Sequence, residues 1–86
     1  MADEARLEKE VNARLERASR IVDRIDPARL GKDHREMLTA LLDFVTRAKE
    51  ALSSRDLPRA DVLSDKAVKL ADELAGARQP PARPER

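Results

Sequence analysis

Residues able to do chemistry are few and scattered in this 86-residue chain. The single histidine, His34, stands where an apolar-patterned segment begins, a place from which a general base or a metal ligand can act. A transition-metal site takes three or four His, Cys or carboxylate ligands, and this chain has no cysteine and no second histidine. His34 therefore reads as a helix-terminal structural or exposed residue. Ser53, Ser54 and Ser64 have no His and Asp partners at a spacing that activates a nucleophile. The 17 acidic residues are interleaved with 18 basic ones, and a glycosidase-type carboxylate pair needs a substrate cleft that short aliphatic helices do not provide. Two isolated glycines make no phosphate-cradling loop. Neither a catalytic residue, a cofactor nor a metal is assigned, and the expectation is a non-enzyme.

One constellation has a sign. Projected on a helix, Arg6, Arg17, Arg20 and Arg24 fall in a strip about 60° wide, opposite the apolar stripe of their segment. Such a strip can meet phosphate, anionic lipid or an acidic partner. Glu10, Glu16 and Asp23 border it, no aromatic is at hand for base stacking, and Arg outnumbers Lys thirteen to five along the whole chain. The strip reads first as a solvated face, with anion contact as the alternative.

The elements that carry these residues are helical. Net charge is +1, 41% of residues are charged and 41% apolar, and Phe44 is the only aromatic side chain. That composition with helical periodicity suits a bundle, built on a light core. The first helix spans about residues 3–25, with Leu7, Val11, Leu15, Ala18, Val22 and Ile25 at three- and four-residue spacing. Asp26-Pro27 ends it, and Pro27–Leu30 forms a short turn before Gly31, which is free to take a positive φ. Asp33 and Glu36 have the spacing of a capping box, so the second helix begins at His34 and reaches Ser53. Its stripe of Leu38, Leu41, Val45, Ala48 and Leu52 is widened by Met37, Leu42, Phe44 and Ala51, and a face that wide predicts the central helix. Ser53–Asp56 is a tight loop; Asp56 caps the third helix, residues 57–75, and Pro58 occupies its first turn. Ala60, Leu63, Ala67, Leu70, Ala71 and Leu74 line its inner face, and Gly76 reads as its C′ residue.

The pattern Asp56-Leu-Pro-Arg-Ala60, Ser64, Ala67, Leu70 resembles the second helix of a tetratricopeptide repeat over some twenty residues. The aromatic and glycine positions of such a repeat's first helix are missing, and no 34-residue period recurs. The chain is also similar to small helical domains of uncharacterised bacterial proteins, some of them envelope lipoproteins. These resemblances imply packing and protein interaction, not chemistry.

The expectation is an all-α, three-helix, up-down-up antiparallel bundle over residues 1–76, followed by a disordered Pro/Arg-rich tail, residues 77–86. Its function is protein interaction or scaffolding. The partner is a second copy or another helical protein, with Leu7, Val11 and Leu15 of an overhanging first helix at the interface of a homodimer. Nucleic acid is disfavoured by the balanced charge. No segment is long and apolar enough to span a bilayer, so the chain as given reads as cytoplasmic, or as periplasmic or lipid-anchored if a leader has been removed.

Overall fold

The computed structural model describes residues 2–78, with side chains for residues 2–76. It is a three-helix bundle. Helix α1 spans Ala2–Asp23, a 3-10 turn follows at Pro27–Arg29, and α2 (Lys32–Ser53) and α3 (Leu57–Arg78) complete it. The expected tail lies outside the described residues from residue 79 on.

Helix ends differ from expectation in instructive ways. Helix α1 stops two residues early because Asp26 is extended (φ −96°, ψ 107°) and serves the next turn, accepting the Ala28 N–H on Oδ1 at 3.0 Å. Ile25 is nevertheless buried, from the connector rather than from a helix. Gly31 keeps φ −71° and is itself the N-cap of α2, so the helix begins at Lys32, two residues before His34. The Asp33–Glu36 capping box therefore does not form; the α2 N-cap has no side-chain hydrogen bond. At the other end, α3 runs helically through Gly76 as far as Arg78, and no glycine has positive φ. Nothing lies within 4 Å of a Cβ added at Gly76, so that residue is a tolerated helical glycine and not a C′ stop.

The loop between α2 and α3 follows expectation. Asp56 Oδ1 accepts the Arg59 N–H at 3.3 Å and Asp56 O accepts the Ala60 N–H at 3.0 Å, the pattern of an N-cap. The left-handed residue of this loop is Arg55, φ 62°, the one non-glycine with positive φ among the described residues.

The main correction concerns the centre of the bundle. Helix α3, not α2, packs along both neighbours, while α1 and α2 meet over a short stretch. The reason is side-chain size. Ala60, Ser64, Ala67, Ala71 and Leu74 are all fully buried and follow one another at three- and four-residue spacing. Small side chains let two helices approach one helix closely, at the near end of the usual 8–10 Å axis separation. The wide apolar face of α2 instead covers one neighbour and leaves a margin, where Leu42 is 45% exposed.

Lengths are corrected too. All three helices have 22 residues, about 33 Å each, so α1 is not the longest. Val11 is fully buried, Leu15 is 4% exposed, and Leu7 packs half-buried against the core. The expected overhanging stripe of Leu7, Val11 and Leu15 thus offers a docked monomer almost no free apolar surface.

Candidate functional site

Helix α3 presents a different chemistry to each neighbour. Toward α2 it directs Leu63 and Leu70, and Lys66 Nζ sits 5.8 Å from the Phe44 ring centroid. Toward α1 it directs Asp61, Ser64 and Asp72. Arg14 Nη1 donates to Asp61 Oδ1 at 2.6 Å, to Asp61 O at 3.1 Å and to Ser64 Oγ at 3.1 Å. The fully buried Ser64 donates in turn to Asp61 O at 3.1 Å. A polar atom buried at a helix contact must be satisfied, and Arg14 reaches in from the edge of the stripe to do so. Arg17 adds Nη2 to Asp72 Oδ1 at 2.8 Å, and Arg55 Nη1 meets Glu8 Oε1 at 3.2 Å. Glu8, Arg14 and Arg17 therefore climb α1 in the same order as Arg55, Asp61 and Asp72 climb the loop and α3. The two helices run parallel, in one register.

This seam redistributes the predicted arginine strip. Arg17 turns onto α3, and Arg20 lies 3.9 Å from Glu16, both of them exposed. Among the described residues Arg6 and Arg24 make no ion pair. Arg6 stands fourteen residues, about 21 Å, from Arg20, and two of the four arginines, Arg17 and Arg20, are engaged in ion pairs. Arg14 lies outside the strip; its i,i+4 contact with Glu10, at 3.8 Å, is longer than its reach to Asp61 at 2.6 Å. The signal that Arg14 crosses to α3 was its place beside the apolar stripe, opposite a helix with a lone buried serine.

Two concavities flank α1 and its connector. Between α1 and α2, where the helices hardly touch, a cleft of about 500 Å³ is walled by Asn12, Glu16, Ser19, Arg20 and Asp23 of α1 and by Lys49 of α2, with Leu15 also lining it. Leu42 lies two turns before Lys49, on nearly the same side of α2. The other, about 370 Å³, sits over the α1–α2 connector and brings together Arg24, Arg29 and His34 with Asp26. His34 is half-buried there and Asp26 is engaged with the 3-10 turn. Among the described residues no group of three or more His, Asp or Glu side chains is placed to hold a metal ion. No helix among them is long and apolar enough to cross a membrane.

No family model matches this chain, and neither the curated proteins nor the solved structures show a match to it.

Proposed function

We propose that this chain is a non-enzymatic helical interaction module that binds a protein partner by packing a helix into the cleft between α1 and α2. The observation that carries this reading is the misfit between the apolar width of α2 and the cover it receives. Leu42 is 45% exposed, two turns from Lys49 on nearly the same side of α2, and Leu15 is the apolar residue among the polar ones that line the cleft. The cleft exists because α3 took the central position, which leaves α1 and α2 as flanking walls. A groove with an apolar residue between charged rims suits an amphipathic helix, whose anchors recur at three- and four-residue spacing. Glu16, Arg20 and Asp23 on one wall and Lys49 on the other give a mixed-charge rim, which a partner's edge charges complement.

Site-specific photo-crosslinking in the cell tests this. A photoreactive residue at Leu42 is expected to trap one defined protein, and the same residue at Glu50, about 80° round α2 from Leu42 and beside the α2–α3 loop, is expected to trap none. Leu42→Glu should abolish the adduct formed from a second probe at Ser19, with the melting temperature kept within a few degrees. Equal labelling from positions 42 and 50, or no adduct from either, overturns the reading.

A further inference from the structure

We propose that α1 exchanges between two copies of this chain, forming a dimer in which the α1 of each copy docks on the α3 of the other. The inference deepens the interaction reading, resting on it only for the class of partner, and it names that partner as a second copy.

Three observations carry it. First, α1 is attached along one side only: it lies on α3 and meets α2 over a short stretch, so its release disrupts one interface. Secondly, the seat on α3 is keyed to the sequence of α1 itself. Arg55 takes Glu8, Asp61 and the buried Ser64 take Arg14, and Asp72 takes Arg17, in a fixed parallel order. An α1 from a second copy satisfies each of these contacts and refills the places of Val11, Leu15 and Ala18, so the exchanged form loses no interface. Thirdly, the connector already holds extended residues at both ends of its turn, Asp26 (ψ 107°), Leu30 (ψ 143°) and Gly31 (ψ 174°). The turn's own bonds are local to it: Ala28 N–H to Asp26 Oδ1 at 3.0 Å, Arg29 N–H to Asp26 O at 2.9 Å and Leu30 N–H to Pro27 O at 3.2 Å, with Arg35 Nη1 donating to Leu30 O at 2.7 Å from α2. Pro27 disfavours helix at Asp26, so the opened connector stays a hinge and does not fuse α1 and α2 into one rod.

The opposing terms are the re-seating of Ile25 and Leu30, each 8% exposed in the closed form, and the entropy of association. Exchange is therefore slow and favoured at high concentration. It also gives a physical route by which Val11 and Leu15, buried in the monomer, and the half-buried Leu7 lie between two chains in a dimer.

The test uses the absence of native cysteine. Arg17→Cys with Asp72→Cys places two thiols where the side chains already meet, and a short bis-maleimide applied to dilute protein ties α1 to its own α3. Bridged and unbridged chains are incubated at millimolar concentration, diluted quickly, and sized by exclusion chromatography with light scattering. The expected result is twice the 9.7 kDa chain mass for the unbridged protein and the single mass for the bridged one. Monomer in both samples overturns the exchange. Dimer in both overturns it as well, in favour of association through an outer surface, and leaves the interaction reading standing. The crosslinks at position 42 report on that reading independently, since α1 exchange does not cover Leu42.

Discussion

The two faces of α3 are held by different means, and the contrast explains the architecture. On the α2 side, leucines dominate a tight antiparallel hairpin: Leu38 and Leu41 of α2 and Leu74 of α3 belong to the core, and Leu52, Leu63 and Leu70 pack against it. Burial of this kind scales with area, at roughly 25 cal/mol per Å², and has no directional preference. On the α1 side the apolar residues are fewer and smaller, and a row of ion pairs and one buried hydroxyl adds what area cannot, a register. Exposed pairs contribute only about 0–1 kcal/mol each, so their effect lies in orientation more than in stability. One face supplies most of the free energy, and the other decides where α1 goes.

That comparison can be broken first at Leu41, which is fully buried. Leu41→Ala is expected to cost about 2–5 kcal/mol, enough to leave so small a domain largely unfolded at physiological temperature by circular dichroism. A melt close to the natural chain would mean that the leucine-rich face is not the main source of stability.

Ala67→Leu strikes both faces, because Ala67 is fully buried in the middle of the stripe that lets α1 and α2 approach. Overpacking there should cost about 1–3 kcal/mol in urea denaturation. Hydrogen exchange should show α1 losing protection before α2. Loss of protection in α2 first would assign the close approach to the wrong pair of helices.

Arg14→Ala leaves Ser64 and Asp61 without their cross-helix donor. The expected loss is about 1–2 kcal/mol, moderated because the Asp61 side chain is 42% exposed and can rehydrate. Faster amide exchange confined to α1 is the readout; uniform acceleration across all three helices would show that the seam is not a local device.

The smallest effect is also the one with opposite sign. Arg55 sits at φ 62°, where glycine carries no steric cost, and its pair with Glu8 is more than one-third exposed on both sides. Arg55→Gly should therefore stabilise the hairpin by about 0.5–1 kcal/mol as read from the denaturation midpoint. A destabilised variant would raise the weight of the ion pairs relative to backbone strain, and with it the weight of the polar seam.

Much of this fold was legible in the residue pattern, and the failures are local. Asp56 and Pro58 marked the start of α3, and the Leu38–Leu41–Val45–Ala48 spacing marked the buried face of α2, because caps and periodicity act within a few residues. Gly31 and Gly76 misled for the converse reason: glycine permits a left-handed stop but does not compel one, and at Gly76 the helix simply continues. Asp33 misled because its neighbour Gly31 could serve as the N-cap through backbone geometry alone.

What the sequence determined by itself is the set of three helices, their apolar stripes, and the order up, down, up that short connections impose. Those properties follow from forces that reach three or four residues along a helix or across a tight loop. Which helix lies in the middle was decided only in three dimensions. A wide stripe on α2 made it look central, but centrality depends on how closely two helices can approach a third. The small residues Ala60, Ser64, Ala67 and Ala71 gave that place to α3. The role of Arg14 was likewise a tertiary matter, because its partners lie 47 and 50 residues away, and only the packed bundle brings a guanidinium to a buried hydroxyl.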